Sequence, residues 1–254
     1  MDIATIIGLL TSVGAIGLAF SMEGGNLDAV FLTAPILIVM GGTLGATTVT
    51  TSIDTVIRVP MFLKVALVHR NYPLEPTIRR MVRLAEKARR DGILGLEAEL
   101  KSIDHPFFRK ALQLVIDGTE VTVLREVLET DIAYLEDRHR RGIEFFQKAG
   151  GFAPTMGILG TVLGLVHTLA NTDDASRMAS SIASAFIATL WGVGIANLFF
   201  LPISDKLRRR DQEEVAFQEL IMEGVIALQS GDTPRNIRTR LLSFIPARRR
   251  AGDL

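Results

Sequence analysis

The sequence has no cysteine, a single tryptophan and two tyrosines in 254 residues, and no excess of either charge, since 28 Lys+Arg balance 28 Asp+Glu. The lack of cysteine excludes a disulfide-stapled secreted domain and a thiolate zinc site. A formal net charge of zero, without a basic bias, gives no reason to expect a nucleic-acid partner. Charge is also missing from long stretches. Residues 1–50 hold three acids and no Lys or Arg, and residues 151–203 hold one Arg and two Asp. Residues 51–150 hold 17 basic and 15 acidic groups, and residues 204–254 hold ten and eight. Mean hydropathy is nevertheless +0.31, with 22% of residues charged. Apolar and charged blocks in alternation describe a membrane protein with a substantial water-soluble part, not one evenly patterned domain.

A hydrocarbon core about 30 Å thick needs roughly 20 apolar residues in a helix. Four stretches qualify, about Ile3–Ser21, Ala29–Val49, Phe152–Ala170 and Ala179–Ile203, and none contains Asp, Glu, Lys or Arg. The first is read as a span and not as a cleaved signal, because Asp2 stands where a basic n-region belongs and a second span follows closely. The loops set the direction. Met22–Asp28 carries Glu23 and Asp28, and Asn171–Met178 carries Asp173, Asp174 and Arg177, whereas 27 of the 28 basic residues lie in 51–150 and after Ser204. The positive-inside rule then places both termini and the 51–150 segment in the cytoplasm.

The charged blocks read as helical. Pro76–Arg90 carries Ile78, Met81, Leu84, Ala85 and Ala88 on one stripe, and Val121–Leu135 and Leu207–Leu228 repeat the pattern. No alternating strand pattern of useful length interrupts them, and the tail Arg248–Leu254 is short, polar and expected to fray. The expected fold class is therefore all-α, a polytopic membrane protein with a helical cytoplasmic domain. Its expected divisions are 1–50 (spans one and two), 51–150 (cytoplasmic helices), 151–203 (spans three and four) and 204–254 (C-terminal helices and tail).

Span four has a small residue at every fourth position, Ser180, Ser184, Ala188, Gly192 and Ala196, while span three offers Gly157, Gly160 and Gly164. Such ridges let helix backbones approach closely in lipid. They can serve packing within one chain or between chains, and the length of the ridge favours an oligomeric bundle. Thr161 and Thr168 lie seven apart on one face of span three, and Thr189 sits midway along span four. These hydroxyls either bond back to their own helix or line a polar path. His167 lies near the outer end of span three, and His69, His105 and His139 are isolated, without metal-ligand spacing. Pro154, after Gly150-Gly151, and Pro202, which is expected to end span four, either punctuate helix ends or mark bends. No phosphate-cradling glycine loop, G-x-S-x-G or H-E-x-x-H occurs, so no enzymatic activity, cofactor or metal is expected.

The run from Gly150 to Val166, GGFAPTMGILGTVLGLV, resembles the third span of the MotA/PomA flagellar stator proteins. Ala188-Thr189-Leu190-Trp191-Gly192, followed by Ala196-Asn197 and Pro202, resembles their fourth, and Glu86-Lys87-Ala88-Arg89-Arg90-Asp91-Gly92 through Glu97 resembles their rotor-facing stretch. The resemblance implies an inner-membrane, ion-driven torque generator. It implies a homo-oligomeric ring, of five copies in the family, around a MotB-type single-span partner that supplies the ion-binding Asp. Arg89, Arg90 and Glu97 would meet the rotor protein FliG, with Arg90 the weaker candidate. Thr161 and Thr189 would line the ion path, and Pro154 and Pro202 would couple ion passage to movement. The transported ion stays open between proton and sodium. The sequence also accommodates two other readings, an ExbB/TolQ-like energy-transducing ring and a membrane scaffold that conducts nothing.

Overall fold

The computed structural model describes residues 3–68, 72–170 and 175–247. The expected outer loop around Asp173 and Asp174, His69 and the tail from Arg248 lie outside the described residues. Among those described, the chain is helical throughout, without a strand. α1 (Ile3–Met22) leads through a 3-10 turn (Leu27–Val30), capped by the Asn26 side chain accepting from the Asp28 N–H at 2.9 Å, into α2 (Thr33–Val49). Two short helices follow, α3 (Ile53–Ile57) and α4 (Val59–Leu67), and then α5 (Leu74–Asp91), α6 (Glu97–Leu100) and α7 (Pro106–Ile116). α8 (Val121–Leu169) is 49 residues long. α9 (Ala175–Ile195) passes through a π segment (Ala196–Phe200) into α10 (Leu201–Gln229), and α11 (Pro234–Leu242) closes the series.

Two expectations about helix ends are corrected. The Val121–Leu135 helix and span three are one helix, with Pro154 inside it, and span four does not stop at Pro202 but continues as α10. Proline removes one ladder hydrogen bond and its ring crowds the carbonyl four residues earlier. For Pro154 that carbonyl belongs to Gly150, and α8 runs on past the ring to Leu169. Before Pro202 the helix widens instead: the Leu201 N–H donates to the Ala196 carbonyl, an i to i−5 bond that spaces the ladder ahead of the ring. Among the described residues three helices are long and apolar enough to cross a membrane, while α2 has 17 residues, at the short end of the spanning range.

The chain divides into two compact units, one of residues 1–69 and 139–210, the other of residues 70–138 and 211–254. The first contains α1–α4, the C-terminal part of α8, α9 and the start of α10. Its core gathers Phe62, Phe145, Phe146, Ala153, Phe200 and Leu207, with the buried Ser204 hydroxyl donating to the Ile143 carbonyl at 3.0 Å. α1 buries no residue, and Ile3, Leu10 and Leu18 stand at least two-thirds exposed. The second unit packs α5, α7, the start of α8, the end of α10 and α11 around Met81, Leu112, Leu124, Leu128, Ile221 and Leu241. The apolar stripes read from the sequence point into this core: Ile78, Met81, Leu84 and Ala85 of α5 are all buried. Gly118 and Gly231 adopt φ of 74° and 77°, a left-handed geometry that ends α7 and α10 at little cost only in glycine.

Candidate functional site

α8 and α9 meet along a seam of residues that have almost no side chain. A Cβ built on Gly192 would lie 2.6 Å from the Ala153 carbonyl oxygen and 2.9 Å from Gly157 Cα. One on Gly157 would lie 2.9 Å from the Ala188 carbonyl oxygen. Further along, Gly160 faces Ala188 Cβ and Gly164 faces Ala185 Cβ, each at 2.7 Å from the added carbon. Real Cβ atoms do not approach that closely, so glycine is required at these positions for the two backbones to touch. The ridge of span four is thus used inside the subunit, where Ala185 and Ala188 are buried and Ser184 is half-buried beside them. Gly42 on α2 approaches the Met156 side chain of α8, and Ile38 of α2 packs at Gly160, so α2 joins the same bundle.

This closeness places Thr161 and Thr189 in hydroxyl contact at 2.5 Å. Thr161 Oγ1 also lies 3.1 Å from the Gly157 carbonyl of its own helix and 3.1 Å from the Ala185 carbonyl of α9, and Thr189 Oγ1 lies 3.5 Å from the Gly157 carbonyl. Each hydroxyl has one proton and two lone pairs. Two protons shared among four oxygens leave lone pairs that can accept from water or coordinate a small cation. Thr168, on the same face of α8, behaves otherwise: it is buried and donates to the Gly164 carbonyl at 2.8 Å, a local back-bond. His167 is exposed near the end of α8, and no group of metal-ligating side chains occurs among the described residues.

Pro154 is half-buried within α8 and Pro202 is exposed just beyond the π segment. Arg89 and Arg90 are exposed in the last turn of α5, which stops at Gly92 with φ 76°, and Glu97 opens α6, also exposed. They therefore share a surface stretch but not one helix. Beside them Lys87 donates to Glu99 at 2.7 Å. That hydrogen bond, with Arg80 and Arg83 nearby, holds the Glu99 carboxyl below its ordinary range. The stabilisation it provides is present above the usual carboxylate pKa and is lost as pH falls through the lowered one. Because the pair is partly exposed it is small.

Two side chains in the spans carry contacts that periodicity did not signal. Asn197, in the π segment, is exposed and donates to the Val193 carbonyl at 2.9 Å. The lone Trp191 donates to the Val30 carbonyl at 2.8 Å and stands edge-on to Phe31, tying the turn before α2 to α9. Both belong to the stretch that resembles the family's fourth span, but only as isolated polar groups in an apolar helix, which carries no hint of these partners.

A model of the MotA/TolQ/ExbB proton channel family matches residues 99–219. Motility protein A of Borreliella burgdorferi is 35% identical over 251 residues, covering 99% of this chain and 96% of that protein. Chemotaxis protein PomA of Vibrio alginolyticus is 34% identical over 254 residues, covering 100% and 99%. The chain belongs to the MotA/PomA family. The solved flagellar MotAB stator complex from Bacillus subtilis contains a chain that matches this one with a TM-score of 0.91, at 31% identity over 97% of each. As a MotA/PomA protein the chain is a membrane-embedded subunit of a flagellar stator.

The seam yields a test of MotA/PomA packing in this chain. Overpacking a close-packed contact costs about 1–3 kcal/mol. Gly192→Ala should lower the thermal unfolding midpoint of the detergent-solubilised protein. Gly14→Ala on α1, where an added Cβ meets nothing within 4 Å, should leave it unchanged or slightly raised. Equal midpoints for the two variants would contradict the seam.

Proposed function

We propose that this stator subunit supplies the wall of an ion path and not its ion-binding acid. The observation that carries the reading is the Thr161–Thr189 hydroxyl pair, seated in spans that contain no Asp, Glu, Lys or Arg. Threonine hydroxyls can replace part of a hydration shell, but they do not titrate near neutral pH and cannot relay a proton as a carboxylate does. Ionisable groups inside membranes are costly and are kept where they have a role. The required carboxylate then comes from a second chain, a MotB-type single-span protein with a membrane Asp. The solved relatives, described as MotAB complexes, support such a partner. Copies of the chain would form a homo-oligomeric ring, of five by family resemblance, around that partner in the bacterial inner membrane, with both termini in the cytoplasm. The ion is a proton or sodium. Full-length similarity to motility proteins favours this over an ExbB/TolQ-like transducer.

Pro154 and Pro202 fit a coupling role because each interrupts the hydrogen-bond ladder of a helix that continues past it. Arg89, Arg90 and Glu97 fit a rotor contact with FliG. Among the described residues no ion pair occupies them, and exposed charges register a partner even when each pair adds little affinity.

Liposomes carrying this chain alone should show no coupled proton or sodium flux. Adding the partner should produce flux, and changing the partner's membrane Asp to Asn should remove it. Substantial coupled flux through the chain alone, or unchanged flux with the Asn partner, would overturn the proposal. For the rotor contact, Arg89→Glu combined with Glu97→Lys should strongly impair swimming while the complex still assembles in the membrane. Charge reversals on the rotor face should restore part of it. Full motility of the double variant would remove Arg89 and Glu97 from torque transfer, and with them the support they lend to a cytoplasmic 51–150 segment.

A further inference from the structure

α2 ends at Val49, and the next three residues are Thr50, Thr51 and Ser52. Together with Thr55 they form one wall of a recess of about 320 Å³, and Arg141, Glu144 and Lys148 of α8 form the other. Everything in it belongs to the first unit. Three features define its chemistry. Lys148 donates one of its three N–H groups to the Thr50 carbonyl at 3.1 Å, which anchors the ammonium at the recess and leaves two donors. Ser52 and Thr55 share a hydrogen bond at 3.0 Å that consumes one of their two hydroxyl protons. Among the lining residues, the two cations Arg141 and Lys148 outnumber the one carboxylate, Glu144.

The surroundings decide which anion fits. In the chain flanking Thr50, Thr51 and Ser52, Val49, Ile53 and Ile57 are 87%, 64% and 70% exposed. Apolar side chains this bare next to a cationic recess suit an amphiphile, with acyl chains along the aliphatic residues and a phosphodiester in the recess. A freely soluble phosphate would make no use of them. Basic pockets beside membrane helices at the headgroup level are suited to anionic lipids.

We propose that the recess between the α2–α3 turn and α8 is a binding site for the phosphodiester headgroup of an anionic phospholipid, held by Lys148 and Arg141 with the Ser52/Thr55 hydroxyl pair. It rests on α2 being a membrane span, and not on the direction of the spans or on the ion path.

The test is native mass spectrometry of the full chain in complex with its partner, in detergent titrated with phosphatidylglycerol or, in parallel, phosphatidylcholine. Phosphatidylglycerol should be retained and phosphatidylcholine should not. A hydrogen bond to a charged group is worth enough that Lys148→Gln should weaken retention about tenfold or more. Arg141→Gln should act in the same direction, and Lys148→Arg should preserve retention. Glu144→Gln should tighten it, which a purely structural role for these residues would not produce. Lys64→Gln removes an equal charge from α4 outside the recess and should change nothing. Equal losses from Lys64→Gln and Lys148→Gln would reduce the effect to general surface charge and overturn the site. Displacement of the lipid by inorganic phosphate at equal concentration would assign the recess to a soluble anion and overturn the lipid. Unchanged phosphatidylglycerol retention in both Lys148→Gln and Arg141→Gln, with coupled flux intact, would overturn the inference while leaving the stator reading in place.

Discussion

Gly157 and Gly192 meet backbone to backbone, and no other side chain could stand at either position without forcing α8 and α9 apart. That contact sets the separation of the two helices, and the separation sets whether Thr161 and Thr189 touch. Within lipid, helices gain nothing by hiding apolar surface from one another, so association relies on close packing and on polar groups that find partners across the interface. The seam supplies both: close approach at Gly157, Gly160, Gly164 and Gly192, and a hydroxyl pair flanked by the Gly157 and Ala185 carbonyls. Moving the helices apart by the width of a methyl group would break the cross-helix bonds and leave each threonine to its own helix, as Thr168 already is.

The second unit obeys different energetics. There the drive is burial of apolar stripes, and Leu112, Leu124, Leu128, Leu220 and Ile221 are removed from solvent almost completely. Charged groups are left on the surface, some in pairs such as Arg125 and Glu223 at 3.3 Å, others, like Arg89 and Glu97, presented outward. An exposed pair adds little stability, so the value of such charges lies in what they meet. The two regimes explain why charge in this chain is segregated by block and not spread evenly.

Much of this was legible in the sequence. The absence of charge from four apolar runs, the small residues at every fourth position and the stripes at Ile78–Ala85 each have a period or a composition, and each reappears as a helix, a seam or a core. The helix ends were not legible. A proline at the edge of an apolar run looks like a stop, yet at both Pro154 and Pro202 the helix continues, and before Pro202 it does so through a shift to i+5 hydrogen bonding that periodicity does not encode. The choice between packing within and between chains was likewise open until Gly157 and Gly192 were seen facing each other in one subunit. The bond from Trp191 to Val30 joins residues 161 apart, and no local pattern predicts it. The recess at Lys148 and Thr50 combines residues 98 apart for the same reason.

The central claim is that the hydroxyls held at the glycine seam form part of the ion path, whereas a hydroxyl bonded to its own helix does not. Thr161 and Thr168 lie on the same helix, and valine replaces either with nearly the same shape. The decisive measurement is coupled ion flux through the assembled complex in liposomes, comparing Thr161→Val with Thr168→Val at equal assembly. The account predicts sharply reduced flux for Thr161→Val and near-normal flux for Thr168→Val; equal flux in the two variants, or the reverse order, would contradict it.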